Sequence, residues 1–430
     1  MRIRLKNAHI LTMVENESIF EGEVHIENGK IIYVGKAKEN TPLFDQEMDC
    51  EGNLLMPGFK NAHTHSAMTF LRSYADDLPL QEWLTEKVFP FEEKLQPSDV
   101  YSLTKLAILE YLTSGITAQF DMYLYPDMVA KASAEMGFRS VILCCVNQSL
   151  DSLDVVEKNY ITFPQISPLI TCQMGFHAEY TSEEKVLIAL SELAHRYHAP
   201  IYTHSSETKK EVEECYKRHG KTPTMYFDSL GLFDDGGGCY HCVHMTEEDM
   251  RCLAKKNVYI ITCPGSNTKL ASGIAPILDM EKNHIKLAIG TDGPASNNSL
   301  DMFKEMFLVA GLQKLRYQDA AALDARKVLK MATVGGALAM GLKNADVLQK
   351  GKCADLILLD LKQPNMQPIH DIEKNLVYSG SKQNVKMTMI DGKILYYNGK
   401  FTYVDNIENL YQECQKITDR IQEECKRENA

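Results

Sequence analysis

Residues 57–65 read PGFKNAHTH, a proline-glycine pair leading into a short run that ends on two histidines one residue apart. Proline and glycine punctuate chains, so the pair marks a passage from one structural unit into the next. The span Met56–His63 is read as the first strand of that second unit. Positions i and i+2 of a strand share a side, so His63 and His65 can reach one ion from the strand's end. On its own the pair is weak evidence, because histidines also occur as hydrogen-bonded core residues.

Outward from this stretch, short apolar runs alternate with helical patterns. Further strands are expected at Ile116–Asp121, Phe138–Val146, Leu169–Gly175, Ile201–His204, Cys239–His241, Val258–Ile261 and Ile285–Gly290. A helix opening at Pro97-Ser98-Asp99 is expected to stop at Gly115, and another to open at Thr181-Ser182-Glu183-Glu184. Eight strand-helix units in one chain predict an α/β fold, a (β/α)8 barrel of the TIM type.

The ends of the chain read differently. IRLKNAHILTM and EVHIENGKIIYVG carry a hairpin signal at Asn28-Gly29, and Ala354–Asp360 is a compact strand. VKMTMIDGKILYYNGKF adds turns at Asp391-Gly392 and Asn398-Gly399. Neither block can bury much apolar area alone, so the two are expected to meet in one small discontinuous β-sandwich. The expected organisation is sandwich at 1–55, barrel at 56–345, sandwich again at 346–405 and a terminal helix at 406–430. That helix sets Ile407, Leu410, Cys414, Ile417 and Ile421 on one stripe, to pack on the body or on a partner subunit of a homo-oligomer.

Bulk properties narrow the function. The 430 residues carry a formal net charge of −12, which argues against nucleic acid, since backbone binding is driven by clustered cations. No signal peptide and no membrane-spanning run are read, so a cytoplasmic protein with no membrane partner is expected. The 12 cysteines show no CxxC pair or framework and are read as reduced, mostly buried thiols.

The polar residues then fall in one place. His177 follows the fourth barrel strand, His204 ends the fifth, His241 the sixth and Asp292 the eighth, all on the face where barrels keep their chemistry. Imidazole and carboxylate ligands in that number suit zinc, or another borderline divalent metal, with water completing the shell. Glu207, three residues past His204, can stand above such an ion as an acid/base; alone it would pass for a first-turn helix carboxylate. His9, His25, His195, His198, His219, His284 and His370 are read as structural or surface residues. For His244, three residues past His241, a supporting role and no role are equally open.

PGFKNAHTH, HAEYT, THSSE, HCVH, SNTKLASGIAP and GTDGPASNNSLDMFKEM resemble the amidohydrolase superfamily, in particular its methylthioadenosine/S-adenosylhomocysteine deaminase group, over nearly the whole chain. The resemblance implies hydrolytic deamination of an adenosine derivative. It implies His63, His65, His204 and Asp292 as ligands of one divalent metal, most simply Zn2+, with Fe2+ or Mn2+ as alternatives. Glu207 would be the proton shuttle, and His241, with Asp292, would orient the attacking water. Glu92 would bind ribose hydroxyls, His177 would contact the substrate, and Ser296 would lie beside the site. Trp83 would cover the base or the 5′ substituent, or serve only as a packing aromatic. PLITCQMGFHAEY has no lysine to bridge a second ion, which favours one metal. VILCCVNQSLDSLDVVEKNY lacks the arginines that clamp an amino-acid carboxylate, which ranks S-adenosylhomocysteine below 5′-methylthioadenosine, 5′-deoxyadenosine and adenosine. The runner-up substrates are guanine, a pterin or a triazine.

Overall fold

The structure, a computed structural model, describes residues 1–74, 76–78, 80–146, 152–404 and 406–428. Strands β1 (Arg2–Ile10), β2 (Phe20–Glu27), β3 (Lys30–Gly35), β4 (Gln46–Asp49) and β5 (Leu54–Pro57) open the chain. Eight strands follow at intervals: β6 (Phe59–Thr64), β7 (Ile116–Asp121), β8 (Arg139–Val146), β9 (Ile170–Phe176), β10 (Ile201–Ser205), β11 (Gly237–His241), β12 (Val258–Thr262) and β13 (Lys286–Ile289). The chain then returns through β14 (Leu356–Leu359), β15 (Val385–Ile390), β16 (Lys393–Tyr397) and β17 (Lys400–Phe401).

Strands β6 to β13 pair in sequence order, every pair parallel, with helices between them. The last strand meets the first at its carboxyl end: Asp292 N donates to His63 O at 3.0 Å, and Thr291 N to Asn61 Oδ1 at 2.8 Å. This is the eight-stranded barrel expected from the alternation. Its strands differ from the expected bounds by a residue or two, except the first. Met56–His63 is two strands: β5 pairs with β14 in the other sheet, and only from Phe59 does the chain belong to the barrel. Apolar runs on both sides of Gly58 hide the switch, because each sheet buries its share of the run. Gly58 itself allows the crossing; a Cβ there would lie 2.1–2.8 Å from the Thr117 side chain.

The two chain ends are hydrogen-bonded as one mixed sheet in the order β17-β16-β15-β14-β5-β1-β2-β3, with β4 beside β1. It buries a core of its own, including Leu5, Ile10, Val24, Ile26, Leu356 and Met389. Asn28 and Gly29 both have left-handed φ, 47° and 79°, as a two-residue hairpin of this twist requires. Beneath the barrel, Arg139 on β8 grips Asp355 through two hydrogen bonds of 2.5 and 2.9 Å, tying the two units by a buried ion pair.

The helix Pro97–Thr113 starts as predicted, with the Asp99 carboxylate accepting from Gln96 N at 2.8 Å, and ends before Gly115 at φ 76°. The terminal helix Ile407–Glu428 packs on it through Leu410, Cys414, Ile417 and Ile421, with Ser102 Oγ donating to Glu413 at 2.6 Å. Among the described residues no helix is long and apolar enough to cross a membrane. The expected thiols are met with one departure: Cys144 and Cys172, on adjacent strands, are paired sulfur to sulfur, while Cys50, Cys215, Cys239, Cys242, Cys263, Cys353 and Cys414 are buried outside any disulfide. The partners lie 28 residues apart and meet only because β8 and β9 pair, which no spacing rule reveals.

Candidate active site

The expected metal ligands, Glu207, His177 and His241 sit at the carboxyl ends of the barrel strands, while Trp83 and Glu92 come from short helices, Leu80–Trp83 and Phe89–Glu92, in the connection from β6 to β7. His63 lies in β6 and His65 one residue beyond it, with ring centroids 4.8 Å apart. His204 closes in from β10, its Nε2 3.1 Å from His63 Nε2. Asp292, past β13, brings Oδ1 to 3.4 Å from His63 Nε2 and 3.2 Å from His65 Nε2. One donor atom from each of the four lies within 4.8 Å of every other, and among the described residues no second such cluster occurs.

The hydrogen bonds behind these groups decide which atoms face inward. His204 Nδ1 points at the His177 carbonyl (2.7 Å) and His65 Nδ1 at the Met122 carbonyl (2.5 Å). A carbonyl only accepts, so both rings carry their proton there and turn an Nε2 lone pair to the centre. Asp292 Oδ2 accepts from Ser266 Oγ (2.6 Å) and Ser296 Oγ (2.7 Å), which turns Oδ1 towards the histidines. His63 stacks on Tyr240, centroids 3.7 Å apart. Ligands about 2.0 Å from a tetrahedral ion are separated by about 3.3 Å, and the three distances of 3.1–3.4 Å match that spacing. The donor set therefore fits one zinc-like divalent ion, with three neutral imidazoles and one carboxylate.

Electrostatics agree. Burial pushes His63 down to about 3, and burial together with the neighbouring rings drives His204 well below the usual imidazole range. Burial also opposes charge on Asp292, but the hydrogen bonds of His63 and His65 outweigh it and hold the carboxylate ionised. The same carboxylate outweighs burial at His65 and holds it up at about 9. A proton sits where a cation fits.

Glu207 follows β10 and is buried at the floor of the cavity, Oε1 3.3 Å from Ser272 Oγ and 3.9 Å from His241 Nδ1. Burial raises its carboxyl against the pull of His241. Its loop is strained and held. Ser206 has φ 53°, while the Glu211 carboxylate accepts from Ser206 N at 2.8 Å and Glu207 N at 2.7 Å. His241 and Asp292 also occupy left-handed backbone, at φ 67° and 60°, which costs a non-glycine residue about 1–3 kcal/mol and persists only where surroundings enforce it.

A cavity of about 870 Å³ opens over the cluster, with Trp83, Glu92, His177, Glu207, His241 and Ser296 in its walls. The structure thus brings together every residue expected to hold the metal, move a proton or touch the substrate. Two have a further contact. His177 holds His204 through its own carbonyl, and the Ser296 hydroxyl is committed to Asp292. Trp83 is both a packed aromatic and a cavity wall, and burial pushes Glu92 up to about 7. The His244 ring donates from Nε2 to the Ser272 carbonyl, 2.8 Å away, outside the cavity walls. Part of the arginine-free stretch, residues 147–151, lies outside the described residues.

Sequence reading missed Ser266, Asn267, Ser272 and Glu211. Thr208-x-x-Glu211 is legible as a capping box, and the structure contains it, but the extra grip on Ser206 and Glu207 depends on the strained turn.

A family model described as the amidohydrolase family matches residues 54–395. A 5-methylthioadenosine/S-adenosylhomocysteine deaminase of Caldicellulosiruptor saccharolyticus is 38% identical over 98% of this chain and 99% of its own length. One of the same description from Desulfitobacterium hafniense is 40% identical over 96% and 97%. An adenosine deaminase from Xanthomonas campestris, solved with bound zinc, superposes with a TM-score of 0.91 at 31% identity, covering 98% of each chain. A zinc-containing atrazine chlorohydrolase from Arthrobacter aurescens reaches 0.89 at 20% identity over 97% and 100%, a likeness of fold alone.

Proposed function

As the chain belongs to the amidohydrolase family, we propose that it is a metal-dependent hydrolytic deaminase of adenosine derivatives. The observation that carries this reading is the converging His63, His65, His204 and Asp292 set with the buried Glu207 carboxyl beside it. Relatives near 40% identity over almost their full length, described as deaminases of 5-methylthioadenosine and S-adenosylhomocysteine, support the substrate class.

The four donors would hold one divalent ion, zinc in the simplest case. Such an ion lowers the pKa of a water ligand from about 15.7 towards about 7. The chain's own residues do the rest. Asp292 and His241 orient the water. Glu207 takes a proton from the water and gives it to a ring nitrogen as oxygen adds to C6. The proton of the added hydroxyl then goes to the amino group, the C6–N bond breaks to release ammonia, and the product is the inosine analogue. A carboxyl raised by burial suits a group that must both take and give a proton.

Glu92 on the cavity wall suits a nucleoside, since an ionised carboxylate accepts two ribose hydroxyls. Within the nucleosides, 5′-methylthioadenosine, 5′-deoxyadenosine and adenosine rank above S-adenosylhomocysteine, because residues 141–160, VILCCVNQSLDSLDVVEKNY, contain no arginine for its carboxylate. An ammonia-release screen of the zinc-loaded protein over these four, guanine, pterins and a chlorotriazine tests the reading. Turnover of the nucleosides is expected; turnover confined to free bases or triazines would sink it.

A further inference from the structure

The segment Cys263–Gly273, which leaves β12, lies mostly behind the cavity and touches each of the three groups assigned to proton transfer and water orientation. Ser266 Oγ donates to Asp292 Oδ2 at 2.6 Å, Asn267 Oδ1 stands 2.8 Å from His241 Nδ1, and Ser272 Oγ is 3.3 Å from Glu207 Oε1. The segment is fixed from outside. Gly265 N donates to the buried Glu305 carboxylate at 2.8 Å, and Lys269 Nζ to Asp76 at 2.5 Å and to the Ala295 carbonyl at 2.8 Å.

We propose that Asn267 is a positioning residue that fixes the tautomer of His241, placing the proton on Nδ1 and turning the Nε2 lone pair towards the reacting centre. A carboxamide can present oxygen or nitrogen to an imidazole, and the two choices select opposite tautomers. The oxygen faces His241 here. Glu207 Oε1, 3.9 Å from the same Nδ1, is too far to bond it, yet its negative charge favours a proton on that nitrogen rather than a lone pair. Both side chains are buried, so no solvent competes for the bond. The orienting group in such a pair sets the rate without touching substrate.

The rate readout rests on the deaminase reading; the tautomer readout does not. Histidine-selective 15N labelling of the zinc-loaded protein, with the His241 signals assigned by their loss in His241→Asn, reports which ring nitrogen is protonated. The wild type is expected to show Nδ1–H. Asn267→Leu removes the acceptor and should populate Nε2–H, lower kcat about 10²-fold with KM within about threefold, and keep its zinc. Asn267→Asp keeps an oxygen acceptor and should hold the proton on Nδ1. In a His241→Asn background, Asn267→Leu should cost nothing further, whereas a merely structural role would lower kcat again. Nε2–H in the wild type, an unchanged Nδ1–H in Asn267→Leu, or additive losses in the double variant would each overturn the assignment. Should Asn267→Leu not fold, the wild-type and Asn267→Asp spectra still decide. The expected spectra without ammonia release from any nucleoside would leave Asn267 its role and remove the deaminase reading.

Discussion

Gly290→Ala puts one methyl group into the seam where the barrel closes. An ideal Cβ at that position lies 2.7 Å from His63 Cβ, 2.8 Å from His63 N and 2.9 Å from His63 O. Two of these atoms are strand backbone, and none is the free end of a flexible side chain. Relief to an ordinary contact of about 3.4 Å needs β6 and β13 to part by about 0.5–0.7 Å, a strain typical of overpacking at about 1–3 kcal/mol. His63 and Asp292 sit on opposite sides of that seam, and metal sites tolerate displacements of only about 0.2 Å. The variant should therefore bind zinc about 10- to 100-fold more weakly, the range seen when the groups supporting metal ligands are disturbed. Competition against a chromophoric chelator measures that affinity, and urea unfolding of the metal-free protein measures the stability cost. Gly311→Ala is the control, because a Cβ there meets nothing within 4 Å. Zinc affinity of Gly290→Ala equal to that of the wild type would refute the claim that the seam sets the ligand geometry.

Glu207→Gln should keep one metal per chain and lose about 10²–10⁴ in kcat; full activity would remove Glu207 from its role. Glu211→Ala leaves the buried N–H groups of Ser206 and Glu207 without acceptors, at about 1–3 kcal/mol each, so urea unfolding should show a loss of about 2–6 kcal/mol together with reduced kcat. A loss below about 1 kcal/mol would mean the strained turn holds itself. With the Glu92 carboxyl held by burial at about 7, the ionised form that accepts hydroxyls is lost as pH falls through that value. KM for a nucleoside should therefore rise on acidification between about pH 8 and 6, the bound cation shifting the inflection lower, and Glu92→Gln should flatten the profile. A wild-type profile already flat across that range counts against Glu92 as the sugar acceptor.

Much was legible because it is local. Hairpin turns at Asn28-Gly29, Asp391-Gly392 and Asn398-Gly399 follow from residues that tolerate left-handed backbone, and the Pro97 helix from its own capping residues. Seven of the eight barrel strands stood out because buried parallel strands are short apolar runs between helices. The histidines and Asp292 stood out because strand ends fall together once a barrel is assumed. The boundary between β5 and β6 did not, since burial on both sides of Gly58 makes two sheets look like one run.

By itself the sequence determined the order of the elements, the identity of the donor atoms and their arrival at one rim, since these depend on periodicity and on which side chains can bind a cation. Only the tertiary structure decided which atoms of those side chains face inward. That choice belongs to groups remote in sequence, the carbonyls of Met122 and His177 and the side chains of Ser266 and Asn267, each of which takes one end of a ring or carboxylate and turns the other inward. A hydrogen bond across such separations has no local signature, because it exists only when the strands have closed.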